Sequence, residues 1–462
     1  MQPLSNTETY SLGAVSFVCL AILISSLRNN GEPLFDSLAI SGLAFAFSYC
    51  IIRWSGDTFL KRGFKGRDMS KKQPIEIPEF MGVLPALVYL LALTAFVPFV
   101  FKSDIVEMTS GAAGNKDDLL EAQQHETVRF LHLFPLEKLA PYGFAGFTLA
   151  AAILLGIMDD TFDLRWRHKF FIPAFASLPL LALYGIKYGE THVMVPAPLR
   201  GYLGERTELG MLYYVYMAAL SIFCPNCINI LAGINGIEVG QSLVIACLIV
   251  LNDALYLSPT VQQPHPAAES HLLSIYLLLP LIGVSLALLQ HNWFPAKVFV
   301  GDTYCYFAGM VFAVVAILGH FSKTLLLVFI PQIFNFVYSA PQLFALVPCP
   351  RHRLPRFNAR TGLLEPSVAT FSDERPLRPI VGEVLKILHK LKLVRVAVDE
   401  TTGRVTESSN LTILNLWLVW RGPLREDRLA LEILAMQTAC GLAGLWVRHS
   451  LALMLFAVDN RF

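Results

Sequence analysis

Long apolar runs separated by short polar segments make up most of the chain. Eleven of these runs approach the length of about 20 residues that a helix needs to cross the hydrocarbon core of a bilayer. They lie at 10–28, 36–53, 81–101, 143–158, 170–186, 210–225, 236–251, 272–289, 298–318, 324–346 and 430–457. Membrane-spanning strands would alternate apolar and polar residues, and the sequence carries no such pattern. It therefore predicts an all-α polytopic membrane protein, a bundle of about 10–11 transmembrane helices.

The first run, 10–28, could be a membrane anchor or a cleaved signal peptide. A signal peptide begins with positive charge, whereas the residues before this run include Glu8 and neither Lys nor Arg. We therefore expect a retained anchor.

Basic residues concentrate in three polar segments, 61–72, 165–169 and 351–428. The positive-inside rule places such segments in the cytosol. Helix counting between them gives a consistent alternation, which puts 102–140 and 252–271 on the opposite side of the membrane.

Three regions follow from this topology. Residues 1–346 form a transmembrane helical core whose functional loops are cytosolic, and 429–462 form a C-terminal transmembrane helix. Between them, 347–428 is the only sizeable extramembrane segment, and its alternating stretch 393–398 predicts a short strand. We expect a small αβ cytosolic subdomain there.

Composition agrees with a chain whose solvent is largely lipid. Of its 462 residues, 55% are hydrophobic and only 15% are charged, with a net charge of +1. Such a neutral chain offers no global attraction for nucleic acid. The eight cysteines are scattered, so no disulfide framework is indicated. A redox or zinc role for the Cys224–Cys227 pair stays open, although no second pair or histidine cluster lies near it in sequence.

The first polar cluster stands at the end of an apolar run. Asp159 and Asp160 are adjacent, and the cationic stretch that ends at Lys169 follows them. Two carboxylates at a membrane boundary are costly unless a cation compensates them. Carboxylates beside cations suit a site for magnesium and phosphate, because magnesium prefers hard oxygen ligands. The alternative is a helix end with interfacial charges, with Trp166 as an aromatic-belt residue.

The second cluster, 226–236, places three asparagines and two glycines within a long apolar stretch. Irregular polar backbone at membrane depth is tolerated only where it is buried or lines a cavity. Asn226 and Asn229 are three residues apart, so they share one helical face. The cluster predicts a binding site, with a polar contact between helices as the alternative.

Two further clusters lie on the same predicted face. Asp302 stands between apolar segments, and an aspartate in that position is a functional candidate by default. The short loop 350–356 is basic and stiffened by two prolines, and arginine matches phosphate with a bidentate fork. Lipid-headgroup binding is its alternative. The four clusters together supply what phosphoryl transfer needs, namely positioning and charge neutralisation.

These motifs resemble those of the eukaryotic UDP-N-acetylglucosamine:dolichyl-phosphate N-acetylglucosamine-1-phosphotransferases, within the superfamily of polyprenyl-phosphate N-acetylhexosamine-1-phosphate transferases. The resemblance extends from about residue 61 to the C-terminus, with a fungal-like overall pattern. The segments that carry it are DDTFDLRWRHK at 159–169, NILAGING at 229–236, VFVGDTYCYFAG at 298–309 and CPRHRLP at 349–355.

The resemblance implies an activity and a setting. Members of that family transfer N-acetylglucosamine-1-phosphate from UDP-GlcNAc to dolichyl phosphate, which begins lipid-linked oligosaccharide synthesis for protein N-glycosylation. They are magnesium-dependent homodimers of the endoplasmic reticulum membrane, face the cytosol and are the target of tunicamycin. A related transferase with another UDP-N-acetylhexosamine or polyprenyl phosphate is the alternative. A nucleotide-sugar transporter is disfavoured, because the hydropathy pattern shows no internal repeat.

The resemblance also implies roles for particular residues. Asn229 and Asp302 would ligate magnesium, and Asp159 and Asp160 would tune that site or position the lipid phosphate. The remaining candidates would bind the donor: Lys169 and Arg351 its diphosphate, His352, Arg353 and Trp166 its N-acetylglucosamine, and Gly233, Asn235, Phe299, Glu79 and the backbone at Asp68–Met69 its uridine. We expect direct attack on the β-phosphorus, with an aspartyl-phosphate intermediate on Asp159 as the rival mechanism. Two further predictions are that 102–130 is a lumenal insertion and that the sequon at Asn410 is unmodified.

Overall fold

The structure, a computed structural model, describes residues 4–29, 31–69, 71–72, 75–102, 136–162, 164–165, 169–195, 197–258, 267–350, 353–371, 377–400, 402–451 and 454. In chain order its main elements are α1 (Asn6–Asn29), α2 (Pro33–Lys61), β1 (Lys65–Asp68), β2 (Ile75–Pro78), α3 (Val83–Val100), α4 (Leu136–Phe162), α5 (Ile172–Ala176), α6 (Leu178–Lys187), β3 (His192–Met194), α7 (Arg200–Leu203), β4 (Arg206–Glu208), α8 (Met211–Ile230), α9 (Ile237–Tyr256), α10 (Ala268–Asn292), α11 (Asp302–Leu318), α12 (Ser322–Val328), α13 (Ile330–Leu343), β5 (Arg356–Asn358), β6 (Leu363–Glu365), β7 (Val368–Thr370), α14 (Pro379–Lys390), β8 (Val396–Val398), β9 (Val405–Ser409), α15 (Ile413–Arg421) and α16 (Glu426–Trp446). The predicted insertion 102–130 lies outside these ranges except for Lys102.

All eleven predicted apolar runs contain helix, which confirms an all-α polytopic membrane protein. Eight helices of the described chain, α1–α4, α8–α10 and α16, are long and apolar enough to cross a bilayer, and α12 with α13, bent by 71°, can count as a ninth. The other two runs yield shorter helices. Pro173 and Pro179 lie at the starts of α5 and α6, where a missing backbone N–H is tolerated, so 170–186 forms two helices instead of one.

The helix α11 runs through the middle of the bundle. Every side chain of α11 after Asp302 is buried. It packs against α4 and α8, and both contacts are close because glycine lies in each. A Cβ at Gly309 would lie 2.4 Å from Pro225 Cα, and one at Gly156 would lie 2.4 Å from Thr303 Cα. Small residues let helix backbones approach in this way within membranes.

The segment before α16 folds as the predicted αβ unit. It contains the antiparallel pair β5–β6, the three-stranded sheet β7–β9–β8 and the helices α14 and α15. Its strand β8 lies within the predicted stretch 393–398. Asn410 is fully buried, and its side chain donates to Ser367 Oγ at 2.8 Å.

Candidate active site

Several connecting segments meet at one end of the bundle and enclose a cavity of about 880 Å³. The hairpin β1–β2, the turn between α8 and α9, the start of α11 and the strand β5 all contribute to its wall. Nine of the predicted site residues line it: Met69, Glu79, Lys169, Asn229, Gly233, Asn235, Phe299, Asp302 and Arg353. Asp159 and Asp160 lie behind the wall, and Trp166, Arg351 and His352 lie outside the described residues.

Lys169 joins two of the predicted carboxylates. Its Nζ donates to Asp159 Oδ2 and to Asp302 Oδ2, each at 2.8 Å. Burial opposes the charge on this lysine, but the carboxylates of Asp302 and Asp159 outweigh it and raise the pKa of Lys169 above its ordinary value. The ammonium group therefore stays charged at the wall of the cavity, where it can neutralise a phosphate.

Asp159 is fully engaged with the protein. Its Oδ1 accepts a hydrogen bond from the Leu164 backbone N–H at 3.2 Å, and its Oδ2 accepts one from Lys169 Nζ. Its side chain is only 2% exposed. A carboxylate held in this way can orient a lysine, but it is not presented to a substrate in the cavity.

Asp160 has a different role from its neighbour, because it holds the start of α11. Its Oδ1 accepts from the Asp302 backbone N–H at 2.7 Å, and its Oδ2 accepts from the Thr303 backbone N–H at 3.0 Å and from the Thr303 hydroxyl. The first N–H groups of a helix lack partners within the helix, and negative charge there is stabilising. Asp160 thus caps α11 from α4 and fixes the helix that carries Asp302.

The residues predicted to ligate magnesium lie side by side. The Asn229 side chain, in the last turn of α8, contacts the Asp302 carboxylate, and both residues line the cavity. Within the described ranges no group of three or more His, Cys, Asp and Glu is arranged to hold a metal ion. One carboxylate and one amide oxygen nevertheless fit magnesium, which is commonly bound by one or two protein carboxylates together with substrate phosphates.

The turn between α8 and α9 brings polar backbone into the cavity. Gly233 and Gly236 have φ values of +112° and +82°, which favour glycine. The Gly233 N–H donates to Glu238 Oε1, and the Gly236 N–H donates to Asn292 Oδ1, each at 3.0 Å. These bonds satisfy irregular backbone at membrane depth, as the sequence motif requires.

Lys71 ties three of the cavity-forming segments together. Its Nζ lies 3.1 Å from Asp68 Oδ2 and 3.0 Å from Glu426 Oε2, and 4.1 Å from the centre of the Phe294 ring. Asn235 closes the ring of contacts, because its amide donates to Asp68 at 3.1 Å and its backbone N–H donates to Glu426 at 2.8 Å. The orientation of Asn235 therefore depends on a lysine that lies outside the sequence motifs.

Glu79 and Phe299 are held by strand-like pairing between two loops. The Phe299 N–H donates to Pro78 O at 2.8 Å, and the Met81 N–H donates back to Phe299 O at 3.1 Å. Gly66 lies against Phe299, since a Cβ there would be 2.7 Å from the ring. Burial, together with the carboxylates of Asp160 and Asp302, raises the pKa of Glu79 above its ordinary value.

Arg353 brings a cationic group to the opposite wall. Its Nη1 is buried and has no hydrogen-bond partner among the described residues, and burial lowers the pKa of this guanidinium. Its backbone carbonyl accepts from Asn415 Nδ2 at 2.9 Å, which fixes the main chain beside the cavity. A buried donor without a partner is unfavourable, so this nitrogen is suited to bind a ligand.

Sequence reasoning missed three residues that organise the site: Lys71, Glu238 and Glu426. Glu238 could have been found, because an acidic residue within an apolar run is a functional candidate by default. Lys71 and Glu426 are 355 residues apart, and only the fold brings them together.

The fold and the site define a polytopic membrane protein whose cationic and acidic groups surround a polar cavity, an arrangement suited to phosphoryl transfer. The family described as Glycosyl transferase family 4 matches residues 143–320, a range that contains Asp159, Lys169, Asn229 and Asp302. The chain is 48% identical over 441 residues to the UDP-N-acetylglucosamine–dolichyl-phosphate N-acetylglucosaminephosphotransferase of Schizosaccharomyces pombe, covering 95% of this chain and 97% of the relative. The enzyme of that name from Saccharomyces cerevisiae is 47% identical (96% and 98% covered), and that from Dictyostelium discoideum is 38% identical (95% of each). The chain belongs to the family of UDP-N-acetylglucosamine–dolichyl-phosphate N-acetylglucosaminephosphotransferases.

Proposed function

We propose that this protein transfers N-acetylglucosamine-1-phosphate from UDP-GlcNAc to dolichyl phosphate, giving dolichyl-diphosphate-GlcNAc and UMP. This is the first step of lipid-linked oligosaccharide synthesis for protein N-glycosylation. The observation that carries the proposal is the group formed by Lys169, Asp302 and Asn229 at the wall of the cavity, in a chain similar to its relatives over nearly its full length.

Charge neutralisation is the chief task of the site, because a lipid phosphate and a nucleotide diphosphate repel each other. Asn229 and Asp302 would hold magnesium, which supplies positive charge to phosphate oxygens when bound. Lys169 and Arg351 add cations from the protein. A phosphomonoester has a second pKa of about 6. The acceptor is therefore largely ionised near neutral pH and needs no strong general base.

We infer direct displacement. A lipid phosphate oxygen attacks the β-phosphorus of the donor, the bond from that phosphorus to the bridging oxygen breaks, and UMP leaves with that oxygen. A covalent intermediate on Asp159 is disfavoured, because both of its carboxylate oxygens are occupied and its side chain is buried behind the cavity.

The donor would extend along the cavity from the metal site. Uridine would be held by Met69, Glu79, Gly233, Asn235 and Phe299, which all line the cavity. The N-acetylglucosamine would be read by Arg353, which also lines it, and, on the family resemblance, by Trp166 and His352. The buried, unpaired nitrogen of Arg353 supports a polar ligand there. The unit 347–428 would then cap the sugar.

The topology proposed for this reaction has the cavity facing the cytosol from the endoplasmic reticulum membrane. Basic segments at 61–72, 165–169 and 351–428 support this orientation through the positive-inside rule. A homodimer is proposed with it, on the family resemblance.

The test uses the purified full chain in lipid nanodiscs with magnesium, UDP-GlcNAc and dolichyl phosphate. We expect wild type to form dolichyl-diphosphate-GlcNAc and UMP, Asp302→Ala to form neither, and the exposed-site control Glu400→Ala to match wild type. Other UDP-N-acetylhexosamines and shorter polyprenyl phosphates run in parallel; preference for one of them would revise the substrate. If folded wild type makes no product from any pair, the transferase proposal fails. Donor labelled in its β-phosphate, incubated without acceptor, should leave no label on the protein.

A further inference from the structure

Helix α14 has two apolar faces, although only one of them packs against the described part of the protein. Its inner face carries the buried Leu385, and the partly buried Val381 and Leu388 of the same face pack on a small core with Val394 and Leu411. The second apolar face is a stripe of Ile380, Val384, Ile387 and Leu391, at spacings of four, three and four residues along the chain.

The stripe is uncovered. Its side chains are 79%, 48%, 56% and 62% exposed, in chain order. At about 100° per residue, the stripe lies about 100° around the helix from the inner face, and the polar residues Glu383, Lys386 and Lys390 occupy the remaining side. The protein core therefore covers one face of α14, and the polar face suits water. The uncovered stripe suits an apolar surrounding.

Two hydrogen bonds connect the turn directly after α14 to helices that belong to, or lead into, candidate membrane spans. The Tyr338 hydroxyl, in α13, donates to Leu393 O. Tyr338 directly follows Val337, which is 63% exposed and shares an apolar outer face of α13 with Phe334 and Ile330. Because α13 belongs to a helix pair apolar enough to span the membrane, this outer face is suited to contact lipid, and the turn after α14 lies beside that helix.

The second bond involves a residue type that favours membrane interfaces. The half-exposed Trp420 donates from Nε1 to Lys392 O at 2.7 Å. Tryptophan is enriched where one side of the ring is apolar and the other is wet. Trp420 lies in α15, which leads directly into the spanning helix α16, so α14 is connected to the bilayer boundary from two sides.

Charge around the stripe selects the partner. Residues 378–395 contain five Lys or Arg and a single acidic residue, Glu383, which binds Lys386 at 2.7 Å. Cations flanking an apolar stripe are typical of helices that lie in the plane of an anionic membrane surface. A protein partner is less well suited, since a stable interface needs about 800 Å² on each side and the stripe is one row of side chains wide.

We propose that α14 is an interfacial helix that binds the anionic surface of the membrane that this chain spans. Ile380, Val384, Ile387 and Leu391 rest at the boundary of headgroups and acyl chains, and Lys390 and Lys392 contact lipid phosphates. The contact also anchors the cavity wall: Trp420 of α15 binds Lys392 in the turn directly after α14, and Asn415 of α15 holds the backbone of Arg353.

A depth measurement on the full chain tests the proposal. A nitroxide spin label is placed at Ile387→Cys or, as the matched control on the polar side, at Glu383→Cys, after the exposed Cys247 and Cys349 are replaced by serine. Collisions with oxygen, which concentrates in lipid, and with a water-soluble nickel chelate are compared in nanodiscs that contain phosphatidylserine. Thermal unfolding of each labelled protein shows that the fold is kept.

We expect the label at 387 to meet oxygen more often and nickel several-fold less often than the label at 383. Equal access of nickel to both labels would overturn the proposal, because the stripe would then face water. Spin–spin broadening at 387 would overturn it in favour of a second copy of the chain. In nanodiscs of phosphatidylcholine alone we expect this difference to shrink; an unchanged difference would refute the role of lipid charge.

Discussion

The carboxylate of Asp160 binds the backbone N–H of Asp302 at 2.7 Å, so one predicted catalytic aspartate fixes the position of another. Asp160 lies in the last turn of α4, and Asp302 begins α11, the buried central helix. Asp159, which precedes Asp160 in the sequence, instead accepts a hydrogen bond from Lys169. The adjacent pair therefore divides its work: one carboxylate places the helix of Asp302, and the other places the lysine.

Asp160→Ala should destabilise the protein and slow the reaction, because it leaves the first N–H groups of α11 without their acceptor. Loss of a helix cap costs about 1–2 kcal/mol. A shift of Asp302 by a fraction of an ångström should lower kcat about 10-fold or more. Asp160→Asn keeps one acceptor oxygen, so its thermal stability and its kcat should lie between those of wild type and Asp160→Ala. Wild-type stability in Asp160→Ala would contradict the capping role.

Gly156→Ala should disrupt the same contact from the side of α4. The new methyl group would lie 2.4 Å from Thr303 Cα, which is backbone and cannot move alone. We expect a loss of about 1–3 kcal/mol and a marked fall in kcat. Gly146→Ala is the matched control in the same helix, since nothing lies within 4 Å of its Cβ. It should be neutral or slightly stabilising in thermal unfolding. Equal behaviour of the two variants would show that the close approach is unimportant.

Lys169→Met should lower the rate of product formation about 100-fold or more, because it removes a cation from the site of phosphoryl transfer. It also leaves Asp159 and Asp302 close together without their shared partner, which costs on the order of 3 kcal/mol. Adding Asp159→Asn removes one of the two negative charges. The double variant should regain thermal stability but not activity, and recovery of activity would refute a catalytic role for Lys169.

Nucleotide binding should depend on the ionisation of Glu79. Burial and the nearby carboxylates raise the pKa of Glu79, so the folded chain keeps a proton that the unfolded chain has released. Its contribution to stability is therefore present below the ordinary glutamate pKa and is lost as pH rises through the raised value. Only the ionised carboxylate accepts ribose hydroxyls through both oxygens. Affinity for uridine, which carries no phosphate, is measured by calorimetry without divalent cation; it should rise as pH increases above the ordinary glutamate pKa in wild type and stay flat in Glu79→Gln.

Lys71→Met should weaken donor binding specifically. The variant leaves Asp68 and Glu426 without their shared cation and frees Asn235 from its fixed orientation. We expect the KM for UDP-GlcNAc to rise about 10-fold, equivalent to about 1.4 kcal/mol, with the KM for dolichyl phosphate unchanged. Lys71→Arg keeps the charge and should recover most of the affinity. An equal rise in both KM values would indicate general loss of structure instead.

The helical membrane architecture was predictable because membrane burial acts on sequence directly. A lipid-facing or buried helix must be apolar along its whole length, so each of the eleven runs was visible as composition. The four polar clusters were visible for the same reason, since polar residues at membrane depth are retained only where something compensates them.

The breaks and bends within the apolar runs were less predictable. The run 170–186 looked continuous, but the prolines that begin α5 and α6 divide it. The bend of 71° between α12 and α13 falls at Phe329, and Pro331 in the first turn of α13 is its marker in the sequence.

The sequence by itself determined a helical membrane enzyme and the types of residue at its site, because hydropathy and motif chemistry are local properties. Only the tertiary structure decided which partner each group has. It separated Asp159 from Asp160, whose side chains are adjacent in sequence but point to Lys169 and to α11. It also brought Lys71 to Glu426, because contacts between distant segments are set by packing and leave no periodic trace in the chain. It left the outer stripe of α14 exposed, which the helical spacing of those residues does not decide.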